Sequence, residues 1–179
     1  MTIRIAVVGD IGSGKTFIAK LFGFPVFNAD NEVKEIYKKN RIAYKNLKLK
    51  LPKYISSFPV SKIDIGNAIK NNINNIKKIN RIIHPIVRKR MRNFLRKNNK
   101  KKAVVLDIPL YFENNLNNKN DIVIFISSKK KYISNALKKR KKSNIKLLKK
   151  LSTLQKSLAI KRKKSDYVIE NNFKSENIK

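Results

Sequence analysis

The segment Gly9–Thr16, with the sequence Gly-Asp-Ile-Gly-Ser-Gly-Lys-Thr, is the part of the chain whose residue types most directly predict chemistry. It follows the Gly-x-x-x-x-Gly-Lys-Thr pattern of a phosphate-binding P-loop. Its glycines let backbone N–H groups approach phosphate oxygens closely. In such a loop the lysine reaches the β- and γ-phosphates, and the threonine hydroxyl binds Mg²⁺. The predicted nucleotide-binding residues are therefore Gly9, Asp10, Ile11, Gly12, Ser13, Gly14, Lys15 and Thr16.

Two aspartates at the ends of predicted strands are candidates for the rest of a phosphoryl transfer. Asp30 follows the second apolar run, fifteen residues after Lys15, where a carboxylate can accept the proton of an attacking hydroxyl. The same position suits the N-cap of the helix that follows, because Asp favours that role. Asp107 ends the third apolar run and can hold Mg²⁺, directly or through water. A cap or turn residue is the alternative there, and spacing alone leaves both pairs of alternatives open.

His84 and Arg140 are the other side chains that could take part in the reaction. His84 is the only histidine, and the chain has no cysteine, so no thiolate or multi-histidine zinc site is expected. A lone histidine is more often structural than catalytic. Arg140 ends a helical segment among Lys138, Lys139 and Lys141. It is either an arginine on a lid that covers the transferring phosphate or one more solvated cation.

The elements that must position these residues alternate along the chain. Apolar runs predict strands at residues 3–8, 25–27, 103–106, 121–126 and 166–169, and helical spacing predicts helices at residues 16–22, 31–40, 132–139 and 151–160. This alternation predicts an α/β fold with an open parallel sheet. Ligands bind at the carboxyl ends of such strands. The glycine loop, Asp30, Asp107 and Asn171 all fall there and are expected to converge on one edge of the sheet.

The middle of the chain has a different pattern. Residues 41–61 are predicted to be irregular, because Pro52 and Pro59 interrupt them. Isoleucines then recur every three or four residues from 63 to 83, which predicts a helix. Pro85 is expected to break or start an element, and residues 86–95 are predicted to form a further helix with arginines on its exposed face.

The formal net charge of +33 over 179 residues is the most unusual property of the composition. Such a charge favours binding to polyanions. Lysine outnumbers arginine 35 to 9, however, and lysine, asparagine and isoleucine fill 83 positions, a bias that A/T-rich codons produce. We therefore interpret the charge as compositional drift and expect no specific nucleic-acid partner. With neither a signal-peptide pattern nor an apolar run near the ~20 residues of a membrane span, we expect a cytoplasmic protein without a membrane partner.

Several motifs together resemble those of dephospho-coenzyme A kinases, over nearly the whole chain. The glycine loop resembles the family's Gly-Gly-Ile-Gly-Ser-Gly-Lys-Ser, and residues 28–30 (Asn-Ala-Asp) resemble its Asp-Ala-Asp segment. Residues 82–85 (Ile-Ile-His-Pro) and 107–113 (Asp-Ile-Pro-Leu-Tyr-Phe-Glu) resemble its apolar-apolar-His-Pro signature and its Asp-x-Pro-Leu-Leu-Phe-Glu box. The later matches are Arg140, Gln155 and residues 166–172. The P-loop alone is generic, whereas the His-Pro and Asp-x-Pro boxes together are specific.

The resemblance implies a phosphotransferase with an alcohol acceptor. Its reaction is the ATP-dependent phosphorylation of the ribose 3′-hydroxyl of dephospho-coenzyme A, the last step of coenzyme A synthesis, with Mg²⁺ as cofactor. The implied fold is a P-loop NTPase with a three-layer α/β/α parallel sheet. Residues 1–40 and 100–179 would form its nucleotide-binding core, residues 41–99 an inserted helical substrate domain, and residues 138–155 approximately a helical lid. We expect the protein to act as a monomer.

The resemblance also implies roles for individual residues. Asp30 becomes the general base, with Lys15 and Arg140 as the other catalytic residues, and Arg140 contacts ATP from the lid. Asn171 lies in the loop near adenine. The implied acceptor-binding residues are Asp30, His84, Asp107, Pro109 and Leu110, and the implied metal ligands are Thr16 and Asp107. The chain departs from the family at Asn28, Ile65 and Ala136, which replace an aspartate and two arginines.

Two other functions remain possible at the level of the sequence. Another small-molecule P-loop kinase, acting on a nucleoside or a nucleoside monophosphate, would share the loop, the lid and the fold. It would not explain the His-Pro and Asp-Ile-Pro-Leu-Tyr-Phe-Glu segments. A basic, ATP-dependent nucleic-acid binder would explain the charge, but the basic residues are not accompanied by an aromatic-rich stretch on which bases could stack.

Overall fold

A computed structural model describes residues 2–139 and 157–173 of the chain. In these residues five parallel strands form one sheet in the order β2-β3-β1-β4-β5. The strands are β1 (Ile3–Gly9), β2 (Val26–Asn28), β3 (Ala103–Asp107), β4 (Asp121–Ser127) and β5 (Tyr167–Glu170). The sheet confirms the predicted parallel α/β fold, and each predicted strand is present to within one residue at either end.

Seven helices are described within the same residues. They are α1 (Lys15–Leu21), α2 (Ala29–Lys39), α3 (Arg41–Lys50), α4 (Lys62–Asn71), α5 (Asn75–Lys97), α6 (Lys130–Lys139) and α7 (Leu158–Lys163). The chain divides into two compact units, one made of Met1–Asn28 with Lys97–Lys179 and the other of Ala29–Arg96. The helical unit therefore includes α2, which the sequence analysis assigned to the core.

The core of the first unit lies around β1, β3 and β4, whose apolar side chains are covered on both faces, as parallel strands require. Val7, Val105 and Ile126 are fully buried and pack with Ile18 and Ala19 of α1. Complete burial of a side chain such as Ile18 contributes roughly 1.5–3 kcal/mol. This packing fixes α1 against the sheet and so fixes the start of α1 beside the carboxyl end of β1.

The second unit is held by helix caps, an apolar interior and an ion pair. Asn40 caps α3 by accepting a hydrogen bond from the backbone N–H of Ala43 at 2.8 Å, and Ser61 caps α4 in the same way. Arg90 on α5 pairs with Glu32 on α2 at 2.8 Å. The fully or nearly fully buried apolar side chains of this unit include Ile36, Leu47, Ile55, Ala68, Ile79 and Ile83.

Two predictions for the middle of the chain were wrong, and the helical prediction for the isoleucine repeat was confirmed with a break in it. Residues 41–61 contain the regular helix α3, because Pro52 follows its end and interrupts nothing. The isoleucine repeat from 63 to 83 belongs to two helices that are separated at residues 72–74. Pro85 lies inside α5 without ending it. The proline is exposed, and the buried side chains of Ile83 and Met91 on either side of it hold the helix in place.

Of the helix predicted at residues 151–160, residues 151–156 lie outside the described part of the chain, and residues 158–160 belong to α7. A search of the described residues finds no helix that combines the length and the apolar character needed to cross a bilayer.

Candidate active site

The glycine loop joins β1 to α1 in the strand–loop–helix arrangement that the sequence predicted. Gly14, at the N-cap of α1, has a φ of +88°, which favours glycine because it has no Cβ. Gly9, at the end of β1, has no room for a side chain, because a Cβ there would collide with the backbone oxygen of Ile126 on β4. Gly9 and Gly14 therefore stand at two positions of the loop where any residue with a Cβ would be strained.

Lys15 and Ser13 give the loop the polar groups that an anion requires. The Lys15 ammonium donates to the backbone oxygens of Asp10 at 2.6 Å and Gly9 at 3.3 Å, so the cation lies against the loop itself. Ser13 is fully buried, and in residues 2–139 and 157–173 its hydroxyl finds no hydrogen-bond partner. A positive charge together with an unsatisfied hydroxyl fits a phosphate group, which offers acceptor oxygens to both.

Thr16, Asp107 and Asn28 meet at the carboxyl ends of β2 and β3. The Thr16 hydroxyl donates to Asp107 Oδ2 at 2.6 Å, and the Asn28 side-chain amide donates to the same oxygen at 2.5 Å. Asn28 and Asp107 are partners in the pairing of β2 with β3, which explains their approach. The arrangement brings a hydroxyl oxygen and a carboxylate oxygen together, and these are the ligand types that Mg²⁺ prefers.

Asp30 lies in the first turn of α2, two residues after the end of β2, and its side chain is exposed. It is a residue of the helix itself, since α2 begins at Ala29. The N-cap alternative from the sequence analysis is therefore wrong. A carboxylate in the first turn of a helix is stabilised by the helix dipole.

The loop that follows Asp107 is anchored by a lysine that sequence reasoning did not single out. Lys161 on α7 is fully buried. Its ammonium pairs with the carboxylate of Glu113 at 2.9 Å and donates to the backbone oxygen of Pro109 at 3.4 Å. Pro109 and Leu110 are partly buried. Lys161 thus fixes the segment that carries two of the predicted acceptor-binding residues.

Asn171 follows the end of β5 and is fully buried. Its side-chain amide donates to the backbone oxygen of Ser13 at 2.8 Å, and its side-chain oxygen accepts from the backbone N–H of Phe173 at 2.9 Å. Its own backbone N–H donates to the oxygen of Ser127 at 2.8 Å. The residue predicted to lie near adenine therefore touches the glycine loop directly.

The remaining predicted residues are not part of these contacts. His84 lies in α5 and is partly buried, and this burial, followed by the nearby charge of Arg88, lowers its pKa below the usual value of 6.5. It is therefore neutral at pH 7. Arg140, Gln155 and most of the segment predicted as a lid at residues 138–155 lie outside the described residues, so their roles remain predictions.

Comparison with known proteins gives consistent results. A family model described as dephospho-CoA kinase matches residues 3–177. The dephospho-CoA kinase of Oceanobacillus iheyensis is 31% identical over 191 aligned positions, which cover 100% of this chain and 94% of that protein. The solved dephospho-CoA kinase of Campylobacter jejuni has a TM-score of 0.66 at 23% identity, covering 99% of this chain and 92% of that one. TT1252 from Thermus thermophilus has a TM-score of 0.80 at 20% identity, with the same coverage. The two structures support the fold.

Proposed function

The chain belongs to the dephospho-CoA kinase family, and from this premise we propose that it transfers the γ-phosphoryl group of ATP to the ribose 3′-hydroxyl of dephospho-coenzyme A. The observation that carries the proposal is the cluster at the carboxyl ends of the strands. There the glycine loop, Lys15 and the Thr16–Asp107 pair provide a cation and oxygen ligands at one place. Phosphoryl transfer depends mainly on positioned phosphates and charge stabilisation, so these are the groups that the reaction needs.

The nucleotide end of the reaction is assigned to the loop. We propose that backbone N–H groups of Gly12 to Thr16 bind the phosphates and that Lys15 exchanges its backbone partners for β- and γ-phosphate oxygens. Thr16 and Asp107 fit a Mg²⁺ ion, which would neutralise charge on the phosphates when bound. Lys15 would then stabilise the charge that moves onto the leaving ADP as the bond to the γ-phosphorus breaks.

The acceptor end is assigned to Asp30. In the proposed step the 3′-oxygen forms a bond to the γ-phosphorus, the bond between that phosphorus and the bridging β,γ-oxygen breaks, and ADP leaves. The hydroxyl proton passes to the carboxylate of Asp30. This assignment is supported by the exposure of Asp30 and by its place two residues after β2.

The helical unit Ala29–Arg96 is proposed to bind the rest of dephospho-coenzyme A. His84, being neutral at pH 7, would serve there as a hydrogen-bonding group. Pro109 and Leu110 stay predicted acceptor-binding residues. We also propose that Asn171 belongs to the nucleotide site and that Arg140 covers it. The protein is expected to act as a monomer in the cytoplasm, without a specific nucleic-acid partner.

A coupled assay of ADP release tests the nucleotide half of this proposal. Release from ATP and Mg²⁺ should require dephospho-coenzyme A and should not be supported by thymidine or a nucleoside monophosphate. Lys15→Ala should lower kcat/KM by at least ~100-fold, the scale of a lost electrostatic clamp. Lys20→Ala, which removes an equal charge from the exposed end of the same helix, should leave it nearly unchanged. Equal rates with a nucleoside monophosphate would instead select a nucleotide kinase.

The same assay tests the general base. Asp30→Asn should lower kcat by at least ~100-fold with little change in KM, because it removes proton transfer and preserves the shape of the side chain. Asp64→Asn is the matched control, since Asp64 also lies in the first turn of a helix, α4. Unchanged turnover in Asp30→Asn would remove Asp30 from the mechanism.

A further inference from the structure

Within the described residues, the Asn171 side chain makes its hydrogen bonds with the protein itself. Its amide nitrogen donates to the oxygen of Ser13, and its side-chain oxygen accepts from the N–H of Phe173. The N–H of Phe173 can only donate, so it must face the oxygen of the amide, and the nitrogen must face Ser13. The side chain is 0% exposed. The hydrogen-bond network therefore fixes both the place and the orientation of this amide.

The contact with Ser13 controls the direction of a backbone N–H in the loop. In a planar trans peptide the C=O of one residue and the N–H of the next point in opposite directions. When the Ser13 oxygen is held by Asn171, the Gly14 N–H must point away from Asn171. Backbone N–H groups are what a glycine-rich loop presents to phosphates. Holding the oxygen thus sets the orientation of one of the phosphate-binding donors.

Gly14 makes such a restraint necessary. Its φ of +88° lies in a region that glycine enters and leaves with little steric cost, so the Ser13–Gly14 peptide has little intrinsic resistance to turning over. The missing side chain of Gly14 also provides the space for the restraint, because a Cβ there would collide with the Asn171 amide nitrogen and approach the Phe173 ring at 3.2 Å.

We propose that Asn171 is a positioning residue of the phosphate site, which holds the Ser13–Gly14 peptide in its phosphate-binding orientation, and that it does not read the adenine base. The inference rests on the proposed function only for the identity of the ligand, ATP. The amide has one further donor and one further acceptor site, but the side chain is 0% exposed, so a purine contact would require it to leave this buried position and with it the partners at 2.8 and 2.9 Å. Breaking these buried hydrogen bonds costs more free energy than a solvent-exposed hydrogen bond to the base would return.

The binding of one ligand with a base and one without a base distinguishes a positioning role of Asn171 from recognition of adenine. Dissociation constants for Mg²⁺–ATP and for Mg²⁺–tripolyphosphate, which has no base, are to be measured by calorimetry on the whole protein with Asn171→Ala and Asn171→Asp. Asn171→Ala should weaken both ligands by about tenfold, the scale of one lost hydrogen bond of this kind. Asn171→Asp keeps the acceptor for Phe173 but replaces the donor to Ser13 by a negative charge, so it should weaken both anionic ligands at least as much. Glu170→Gln, at the exposed neighbouring position, should change neither constant.

Two results would overturn the inference. One is a loss of ATP binding with unchanged tripolyphosphate binding, which would mean that Asn171 reads the base. The other is unchanged binding of both ligands. A second measurement needs no ligand: hydrogen exchange of the amides at residues 12–16 should become about tenfold faster in Asn171→Ala, because one restraining hydrogen bond is lost, and unchanged exchange would contradict the restraint. If the wild-type protein failed to phosphorylate dephospho-coenzyme A, the proposed function would fall, while these binding results would still decide the role of Asn171.

Discussion

Asp107 holds two hydrogen bonds on one carboxylate oxygen, from the Thr16 hydroxyl and from the Asn28 amide. The family segment that residues 28–30 resemble has an aspartate in the place of Asn28. A second carboxylate there would repel Asp107 unless a proton or a cation lay between them. Asn28 instead donates a hydrogen bond, so Asp107 is oriented by an uncharged neighbour and keeps its negative charge for the Mg²⁺ ion that we propose there.

The Asn28 amide should therefore matter for Mg²⁺ more than for either substrate. In Asn28→Ala the carboxylate of Asp107 loses one of its two orienting donors, and the Mg²⁺ concentration needed for half-maximal rate should rise by about 10-fold or more, the usual cost of losing a partner of a metal ligand. Initial rates at a fixed ATP concentration and varied Mg²⁺ concentrations measure this half-maximal Mg²⁺ concentration. Asn117→Ala, an exposed asparagine, is the control, and an unchanged Mg²⁺ requirement in Asn28→Ala would show that Asp107 is positioned without it.

His84 gives the protein a pH dependence with a definite sign. Burial lowers its pKa in the folded protein below the value of about 6.5 expected for an unfolded chain. The unfolded state then binds more protons as the pH falls, so the stability that neutral His84 contributes is complete above pH ~6.5 and is lost as the pH falls through the folded pKa.

Urea unfolding checks this prediction cleanly, because His84 is the only histidine. The free energy of unfolding should decrease as the pH is lowered from about 7.5 to about 5. His84→Gln should show a smaller decrease over the same range. A decrease of equal size in the variant would assign the pH dependence to other groups.

At the scale of elements, α7 and the segment after β3 are joined by the buried Lys161–Glu113 pair. Removing one member of a buried pair leaves a buried charge without compensation, which typically costs about 3–5 kcal/mol. Lys161→Met should therefore destabilise the protein strongly, and the double variant Lys161→Met, Glu113→Gln should recover much of the loss. Denaturant unfolding measures both.

The exposed pair Glu35–Lys39 on α2 serves as the control for that comparison. Lys39→Met should have little effect, because exposed ion pairs contribute little to stability. If Lys161→Met were as mild as Lys39→Met, the Lys161–Glu113 pair would have no part in anchoring the segment after β3.

How far the sequence predicts these features depends on whether the signal is local. Thr16 belongs to a motif with fixed spacing, and the buried strands are continuous apolar runs, so both were predicted. Lys161 could not be recognised, because it is one of 35 lysines and only the fold shows that it is buried. The partnership of Asn28 with Asp107 depends on which strands are neighbours, and sequence periodicity does not determine strand order.

The errors in the helical unit have a related cause. Rules about helix-breaking residues are local, whereas the cost of a proline depends on its position and on what its neighbours bury. Pro52 lies after the end of α3 and does not affect it, and Pro85 is tolerated inside α5 because that helix buries Ile79, Ile83 and Met91. The isoleucine spacing correctly indicated helix, but a periodicity of three and four residues continues across the short break at residues 72–74.

At the scale of the whole molecule, the net charge of +33 is expected to oppose folding by self-repulsion. Salt should therefore stabilise the protein. Raising the NaCl concentration from about 0.01 M to about 0.1 M shortens the Debye length from ~30 to ~10 Å. The weaker repulsion should raise Tm by about 2–4 °C for each kcal/mol of repulsion that is removed. Thermal unfolding at the two concentrations measures the shift.

A variant with a lower net charge is the control for the salt effect. Lys45, Lys50 and Lys53 are exposed, and their replacement by glutamate lowers the net charge by six, so the variant should have a smaller salt-dependent shift in Tm. A wild-type Tm that stays constant or falls with added salt would contradict self-repulsion as a factor in stability.

The central claim, phosphorylation of dephospho-coenzyme A, is tested most directly by identifying the product. The purified protein is incubated with ATP, Mg²⁺ and dephospho-coenzyme A, and the mixture is separated beside authentic coenzyme A. We predict one new product that co-elutes with coenzyme A, appears in equal amount with ADP and is at least ~100-fold slower to form with Lys15→Ala. ADP formed without coenzyme A, or a phosphorylated product that separates from it, would contradict the account.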